Sequence, residues 1–413
     1  MTKIILFEKN MFSNLLIFLR DQNYKFFFLV LMLSVLPILE APKNLFALLF
    51  VLSWFIIALR AKDWGGRWRL IDTIFLLWLL ADIAVGINAV IIHDQPANGS
   101  KDIIRFVLVG WAISRARFTT KQMVYLTLMA IFFTIIPLAY SYLNYGLLPR
   151  LHSVGHMNHV AIYILIIYIA SLSLLIFNFK GIGNLIRISL ILASIILAIT
   201  VLDTNSRAAS GLLVIITLMA IAYAVYLYRS WSVVTISALF ISIVLITSVY
   251  NPPSVINKFV TGSSLISDSS SRHKIRNFAY YVFKIDPILG TGMENFPNFD
   301  HADIQDMVIK EEGTYNKKKF LPFKHPHNVY LAYLSGGGLV LFSIFGWFWF
   351  EITKIVHKMK DSCNDRWFIF ASSSVIMSVL GIGLVNTTFA NEHALIAMLL
   401  LGFLISRYRE FTS

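Results

Sequence analysis

The sequence is poor in charged residues, in acidic residues above all, and in cysteine. Charged side chains make up 14% of its 413 residues, with 22 Asp and Glu against 35 Lys and Arg, and Cys363 is the single cysteine. One cysteine excludes an intramolecular disulfide and leaves a cysteine-based metal site unsupported. The composition is 57% hydrophobic and the mean hydropathy is +0.72. These values exclude the soluble globular class and indicate a membrane protein.

Long apolar runs recur along the chain from residue 24 onward. A helix needs roughly 17 to 25 apolar residues to cross a bilayer core of about 30 Å, and the runs are continuous rather than alternating, which favours helices over a barrel. The sequence therefore predicts an all-α polytopic membrane protein with about 12 transmembrane helices. The predicted spans are 24–40, 44–60, 70–92, 102–115, 122–145, 159–179, 184–202, 208–228, 231–250, 328–350, 366–385 and 393–408. The fourth is the weakest, because it is short and contains Arg105.

One connection is far longer than the others and divides the chain into three parts. Transmembrane helices 1–9 are predicted in residues 1–250, a loop in residues 251–326, and helices 10–12 in residues 327–413. Within the loop, residues 264–272 are typical of a flexible segment, whereas residues 272–292 show helical apolar spacing followed by a Pro/Gly turn. That spacing is formed by Ile275, Phe278, Ala279 and Val282. We expect one or two helices here, lying over the membrane face.

The basic residues are distributed unevenly between the two sides of the predicted bundle. With a cytoplasmic N-terminus, twenty Lys and Arg fall in the inner segments, against only Lys43, Lys101, Arg150 and Arg207 in the short outer loops. This bias places both termini in the cytoplasm and the long loop on the outer face, which in a Gram-negative cell is the periplasmic face of the inner membrane. Topology thus accounts for the net charge of +13, and no nucleic-acid partner is predicted.

Histidine and arginine side chains collect in the segments predicted to lie on the outer side. Seven of the ten histidines are found there. They are His152, His156, His159, His273, His325, His327 and His393. An ordinary membrane surface does not need so many imidazole groups, so we expect a functional site on this face.

The outer arginines leave two interpretations open. Arg207 lies in a hairpin of about five residues between two spans, close to the membrane interface. There it either snorkels while paired with Asp203, or forms a bidentate clamp on a phosphate, for which planar arginine suits better than lysine. Arg272 taken by itself fits a solvated loop charge. Arg276, one helical turn further on, either supports Arg272 or faces solvent.

His325 and His327 precede the start of the tenth span. A histidine at a helix start often only caps the helix or bonds to a neighbouring loop. The alternative is that His327 takes a proton from a sugar hydroxyl or contacts a phosphoryl oxygen, beside free helix N–H groups that suit an anion. The glycines at 336–338 fall inside the span and fit close packing of helices.

Few charges lie within the spans themselves, and Asp72, Asp82 and Arg105 are the main ones. We expect Asp82 and Arg105 to pair between the third and fourth helices in a structural role, in preference to a proton path. A transporter would need ionisable groups or broken helices near the midplane. The concentration of polar residues at one face favours an enzyme over a transporter or a scaffold.

Three motifs resemble those of the O-antigen ligase and polymerase superfamily of bacterial envelope glycosyltransferases. HNVYLAYLSGGG is similar to the family's His-Asn, nine residues, Gly pattern, with His327, Asn328 and Gly338. NSRAASGLL resembles its Ser-Arg hairpin around Arg207. SSSRHKIRNFAYYVFKIDPILGTGMENF resembles its Arg, amphipathic helix and Pro-x-x-Gly-x-Gly segment, with matching residues at Arg272, Pro287, Gly290, Gly292, Asn295 and Phe296. Two positions depart from the family pattern, Gly211 in place of Leu and Leu341 in place of a small or aromatic residue.

The resemblance implies transfer of a preassembled glycan from an undecaprenyl-pyrophosphate donor, by inversion at the anomeric carbon and without ATP, metal or cofactor. It implies donor pyrophosphate binding by Arg207, Arg272 and Arg276, and catalysis by His327 together with Arg207 and Arg272. The predicted supporting residues are Asn328, His325, Gly338, Gly290, Gly292 and His156. A ligase uses lipid A-core as acceptor and a polymerase uses the growing glycan. The length and the twelve-span layout favour the ligase, with membrane lipids as surroundings.

Overall fold

The structure, a computed structural model, describes residues 24–146, 151–177, 183–228, 265–362 and 366–412. These residues form α-helices joined by loops and two short 3-10 turns, and no strand occurs among them. In chain order the helices are α1 (Tyr24–Val35), α2 (Glu40–Ala61), α3 (Leu70–Ile92), α4 (Asn98–Arg115), α5 (Thr120–Tyr145), α6 (Met157–Phe177), α7 (Asn184–Asp203), α8 (Arg207–Tyr228), α9 (Leu265–Ile285), α10 (His301–Glu312), α11 (Val329–Met359), α12 (Arg366–Gly383) and α13 (Asn391–Phe411).

The predicted all-α polytopic fold is confirmed. Eight helices of the described ranges are long and apolar enough to cross a membrane, namely α2, α3, α5, α6, α7, α8, α11 and α12. The exact count of twelve is not confirmed. Helix α1 is a shorter apolar helix, α4 and α13 fall outside this set, and the predicted span 231–250 and Cys363 lie outside the described residues.

Two helices form the centre of the bundle. Helix α6 is buried along almost its whole length, and α13 is buried from Glu392 to Ser406. Helix α13 crosses α4 closely, because a Cβ at Gly402 would lie 2.7 Å from Ile113, and a Cβ at Gly110 would lie 2.7 Å from Met398. Small residues permit this approach of two backbones inside a membrane bundle. The less apolar helices α4 and α13 are therefore held by packing.

The described part of the predicted loop 251–326, from residue 265 onward, carries its own small core. Helix α9 buries the four residues expected from its spacing, Ile275, Phe278, Ala279 and Val282, against residues of α10 and the following loop. The prediction of one or two helices in this loop is confirmed by α9 and α10. Within the segment 264–272, for which we predict flexibility, α9 begins at Leu265, so the segment is helical from that residue, and its flexibility stays a prediction. Serine has only a modest helix penalty, so a run of serines extends a helix that packing anchors further along.

Helix α11 is broken near one third of its length, and a loop from outside the bundle inserts at the break. Gly338 has φ 60° and ψ −168°, which is not helical. The N–H groups of the next two residues bond to the loop instead, Leu339 to the Pro287 carbonyl at 2.8 Å and Val340 to the Ile288 carbonyl at 3.2 Å. The expectation that glycines 336–338 serve the packing of helices is thus wrong, because the backbone that approaches them closely belongs to a loop.

The same loop also bonds to the first half of α11, where the loop supplies the donors and the helix supplies the acceptors. Thr291 N donates to Ser335 O at 3.0 Å and Gly292 N donates to Gly336 O at 2.8 Å. Gly290 must be glycine, because a Cβ there would lie 2.5 Å from the Gly336 carbonyl and its φ is +71°. Two N–H groups and two carbonyls beside the break therefore find partners in the loop, as buried backbone groups require.

Asp286 fixes the base of this loop to the end of α3. Its carboxylate accepts from Asn88 Nδ2 at 2.7 Å, lies 3.2 Å from His93 Nε2, and accepts from the Leu289 N–H at 3.1 Å. Partial burial acts to raise the pKa of Asp286, but these hydrogen bonds outweigh it and hold the pKa below the ordinary value. The insertion is thus anchored on two sides, by α3 and by α11.

Candidate functional site

The structure brings histidines from three separate segments to one end of the bundle. The ring of His159, in the first turn of α6, lies 5.9 Å from that of His325, 5.3 Å from that of His393 and 6.4 Å from that of His156, between centroids. We call this the histidine end, defined by His156, His159, His325, His327 and His393. The predicted supporting residues His156 and His325 are therefore close to one another, and His159 and His393 join them.

His327 occupies a constrained position in this group. Its backbone φ is 49°, in the left-handed region that side chains other than glycine seldom adopt. Its ring lies 5.2 Å from that of Phe323, and its buried Nδ1 has no hydrogen-bond partner among the described residues. Strained backbone of this kind concentrates at functional sites, and the unpaired Nδ1 distinguishes this imidazole from one that only caps a helix.

The surroundings of His327 favour the neutral imidazole. Burial lowers the pKa of His327, the nearby Arg272 guanidinium lowers it further, a hydrogen bond with Asn386 opposes this, and His156 adds a smaller lowering effect. The pKa of His325 is also lowered, by burial first and then by His327 and Lys324. These electrostatic effects require proximity, so Arg272 and His327, 55 positions apart in the chain, lie near one another.

Arg276 and Asn328 converge on a single carbonyl. Arg276 NH2 donates to Leu384 O at 2.9 Å, and Asn328 Nδ2 donates to the same oxygen at 3.1 Å. The Asn328 Oδ1 also accepts from the Leu331 N–H at 2.9 Å and so caps α11. Asn328 is therefore a structural link between α11 and the loop after α12, and Arg276 joins the loop helix α9 to the same point.

Arg207 lies at the depth of the histidines. Helices α6 and α8 are parallel neighbours: Tyr168 Oη lies 2.7 Å from Thr217 Oγ1, and Phe177 contacts Tyr223 further along both. His159 precedes Tyr168 by nine residues and Arg207 precedes Thr217 by ten, which at 1.5 Å per residue corresponds to about 14 and 15 Å. Arg207 is therefore level with His159 at the histidine end.

A second contact shows that the start of α8 lies beside the end of α12. A Cβ at Gly381, near the end of α12, would lie 3.6 Å from Leu212 Cδ1 of α8. Leu384, three residues after Gly381, carries the carbonyl that Arg276 and Asn328 share. The first two turns of α8 thus lie beside the same loop. The Asp203 carboxylate, the partner considered for Arg207, accepts a hydrogen bond from Tyr142 Oη at 2.9 Å.

A cavity of about 80 Å³ opens beside His159 and His325. Its wall includes two carboxylates, Asp102 at the start of α4 and Glu294 after the inserted loop, and the loop that precedes α13. Glu294, Phe389 and Asn391 in this wall all have positive φ, at 65°, 60° and 47°. Strained backbone and ionisable groups therefore surround this concave surface as well.

The remaining predicted residues have structural positions. Gly290 and Gly338 form the backbone pairing at the break in α11, and Gly292 packs against α3, where its Cβ would lie 2.6 Å from Ala89 Cβ. The predicted pair of Asp82 with Arg105 is wrong. Arg105 bonds one turn back along its own helix to Asp102 at 2.5 Å, within easy local reach, whereas both carboxylate oxygens of Asp82 lack a partner among the described residues.

Two groups of the candidate site could not be recognised from the sequence. Asn386 and the Leu384 carbonyl lie in the loop after α12, where the predicted span 366–385 ends. Their part in the site depends on the three-dimensional position of that loop. Within the described residues, no group of three or more His, Cys, Asp or Glu side chains is arranged to hold a metal ion.

Comparison with known families gives one match. The sequence pattern of the family described as O-antigen ligase matches residues 192–346. The matched segment runs from within α7 to α11 and contains Arg207, Arg272, Arg276 and His327, but not His156 or Asn386. This confirms the resemblance to the O-antigen ligase family for that segment. No match to a curated protein was found.

Proposed function

We propose, with residues 192–346 taken as an O-antigen ligase segment, that this multi-pass membrane protein is a glycan-transferring enzyme that acts as an O-antigen ligase. Its donor is a preassembled glycan on undecaprenyl pyrophosphate and its acceptor is lipid A-core oligosaccharide. The reaction takes place at the periplasmic face of a Gram-negative inner membrane, with both termini in the cytoplasm. The family supports glycan transfer as such, and the donor, the acceptor and the sidedness are parts of the proposal.

The observation that carries the proposal is the approach of Arg272 to His327. One comes from the loop helix α9 and the other from the residues just before α11, and the pKa of His327 is lowered by burial first and then by the Arg272 guanidinium. A cation next to an imidazole with a free, buried Nδ1 provides a charge clamp and a proton acceptor within one site. That combination suits attack by a hydroxyl at a carbon whose leaving group is an anion.

We infer the reaction from these two groups together with Arg207. The acceptor hydroxyl oxygen attacks the anomeric carbon of the donor, and His327 takes the hydroxyl proton as the bond forms. The bond between that carbon and the pyrophosphate oxygen breaks, and undecaprenyl pyrophosphate leaves as an anion. Arg207 and Arg272 neutralise the charge that develops on it, which is the part of the barrier that fixed cations lower most. Direct displacement inverts the anomeric configuration.

The protonation of His327 supports a role as a base in preference to a phosphate ligand. A lowered pKa keeps the imidazole neutral near pH 7, so it contributes no positive charge to the donor. A neutral imidazole accepts a proton, as general-base catalysis requires.

The cavity of about 80 Å³ beside His325 is proposed as the acceptor sugar site. Carboxylates accept hydrogen bonds from several sugar hydroxyls, and Asp102 and Glu294 line this wall. Glu294→Gln is then expected to raise the KM for the acceptor severalfold and to leave the KM for the donor unchanged. An equal rise in both KM values would contradict this assignment.

The test of the enzyme function is reconstitution of the purified protein with undecaprenyl-pyrophosphate glycan and rough lipopolysaccharide. Arg207→Ala, Arg272→Ala and His327→Ala are each expected to lower transfer by about 100-fold or more, as loss of a charge-stabilising or proton-accepting group does. Matched controls are His152→Ala, an exposed histidine near the same end, and Arg60→Ala, an exposed arginine at the end of α2. The controls should keep full activity. Transfer that persists in EDTA would support independence from metal ions.

Ligase and polymerase differ in the product of a deletion strain. Loss of a ligase leaves lipopolysaccharide with bare core, because no O-antigen reaches the acceptor. Loss of a polymerase leaves core carrying a single repeat. A deletion strain whose lipopolysaccharide gel shows the single-repeat band would establish the polymerase instead.

A further inference from the structure

The opposite end of the bundle holds a second, larger cavity, of about 540 Å³. Its wall contains four arginines, Arg67, Arg69, Arg117 and Arg409, and one acidic residue, Glu410. We call it the arginine cavity. Asp72 lies beside it at the start of α3, and Ala89, which touches Gly292 of the inserted loop, lies 17 residues further along that helix. At 1.5 Å per residue about 25 Å separates the two levels, so the arginine cavity is distinct from the histidine end.

The arginine cavity is built on a buried frame that carries excess positive charge. The Asp72 Oδ1 accepts from Arg115 Nε at 2.7 Å and from Arg409 NH2 at 2.5 Å, and from Trp111 Nε1 at 2.8 Å. One carboxylate thus faces two guanidinium groups that are 4% and 7% exposed. An unbalanced charge is costly at such burial, and an anion in the cavity would neutralise it.

Some donors of the buried arginines have no partner in the protein. Arg409 Nε and Arg115 NH2 are buried and make no hydrogen bond to any described residue, and Arg409 forms part of the cavity wall. Buried guanidinium N–H groups are almost always satisfied, so unpaired ones indicate a ligand or ordered solvent. Planar arginine donors match the oxygen atoms of a phosphate in particular.

The loop between α2 and α3 holds the arginines in place. Arg115 NH1 donates to the carbonyls of Trp64 and Gly66, and Arg409 NH1 donates to the carbonyl of Arg67 at 3.3 Å. Gly65 lies directly on α4, where a Cβ would lie 2.1 Å from the Arg115 carbonyl. The guanidinium of Arg67 itself is exposed and has no hydrogen bond or ion pair within the described part of the chain. These hydrogen bonds hold the buried guanidinium groups in position, and the Arg67 guanidinium remains as a donor at the cavity's outer edge.

We propose that the arginine cavity binds a phosphate-bearing anion, either the headgroup of an anionic phospholipid or a free phosphate compound, at the end of the bundle opposite to the histidines. The basic residues expected on a cytoplasmic face account for exposed charges, but they do not account for Arg409, a buried arginine of the cavity wall whose Nε has no partner among the described residues, or for the unpaired NH2 of Arg115 behind it. This site is independent of the glycan-transfer proposal.

The test compares two charge-matched double variants. Arg67→Gln/Arg117→Gln removes two exposed arginines of the cavity wall, and Arg60→Gln/Lys360→Gln removes two exposed basic residues at the same end that do not line it. In native mass spectrometry of protein from phosphatidylglycerol nanodiscs, the cavity variant is expected to retain that lipid about 30-fold less, which corresponds to about 2 kcal/mol for two basic residues. The control should match the wild type.

A second assay separates the two sources of phosphate. Inorganic pyrophosphate is added to protein in lipid-free detergent, and the melting temperature is recorded. A rise in wild type and control but not in the cavity variant, with equal phosphatidylglycerol retention in all three, assigns the site to free phosphate compounds. Glu410→Gln, which removes the acidic residue of the wall, should bind the assigned probe about fivefold more tightly. The proposal is overturned if both double variants behave alike in both assays.

Discussion

A single methyl group at Gly338 should dismantle the insertion that joins the loop to the bundle. An alanine Cβ there would lie 2.3 Å from the Ile288 carbonyl oxygen, and its backbone conformation of φ 60° and ψ −168° is accessible in practice only to glycine. We assign about 2 kcal/mol to the strain and about 1 kcal/mol to each of the two loop hydrogen bonds that follow it. Gly338→Ala is therefore expected to lower the free energy of unfolding by about 4 kcal/mol.

Gly346→Ala is the matched control, because it lies in the same helix. It is exposed and a Cβ there would have no atom within 4 Å. The added methyl group should stabilise α11 by about 0.5 to 1 kcal/mol, as alanine does relative to glycine inside a helix. Unfolding is followed by tryptophan fluorescence during titration of mixed micelles with sodium dodecyl sulfate.

Gly290→Ala affects the same insertion from the loop side, where its Cβ would lie 2.5 Å from Gly338 N. The double variant Gly290→Ala/Gly338→Ala should lose clearly less stability than the sum of the two single losses, because both remove one shared set of contacts. If Gly338→Ala unfolds within 1 kcal/mol of Gly346→Ala, the insertion does not hold the loop and our reading of α11 is wrong.

Three further predictions follow from charged groups. If His327 acts as a neutral base, acid protonates it and stops transfer, and its lowered pKa puts the midpoint of the acid limb below the ordinary value of about 6.5. Arg272→Met removes a nearby positive charge and should move that midpoint to higher pH. An unmoved acid limb in the pH–rate profile of this variant would contradict the proximity of Arg272 to His327. Lys43→Met leaves the buried Glu392 carboxylate without its cation and should cost about 3 to 5 kcal/mol in the micelle titration, whereas Lys43→Met/Glu392→Met should recover most of that loss. Asp72→Asn removes the carboxylate shared by two buried guanidinium groups and should cost a similar amount, so a neutral result would show that the frame of the arginine cavity does not need the charge.

Hydrophobic periodicity was a reliable guide where burial alone decides structure. The long apolar spans and the buried stripe of α9, from Ile275 to Val282, follow from spacing because each apolar residue contributes to burial whatever its neighbours are. The same reasoning underestimated α9, since packing at its later turns extends the helix back to Leu265. Periodicity therefore indicated where a helix lies better than where it begins.

Contacts between distant backbone segments were beyond this kind of reasoning. Nothing in the local sequence at Gly338 states that residues 287–292 will supply its hydrogen-bond partners, because a glycine run fits helix packing equally well. For Arg105 the error was the opposite one, because we predicted a distant partner, Asp82 in another helix, whereas the actual partner is Asp102, one turn away in the same helix. Of the predicted site, the approach of Arg272 to His327 was indicated by the motifs, whereas Asn386 and the Leu384 carbonyl needed the coordinates.

The break in α11 also has a consequence for biogenesis. Nascent α11 carries backbone groups at 335–340 that cannot all be satisfied within one continuous helix of this geometry, and lipid offers them no water. The residues that satisfy them, 287–292, are synthesised earlier and must already lie at the end of the bundle where α11 breaks when α11 folds. Placement of the loop would then come before maturation of the span, so a ribosome stalled between the two segments should yield a chain that quality-control proteases degrade.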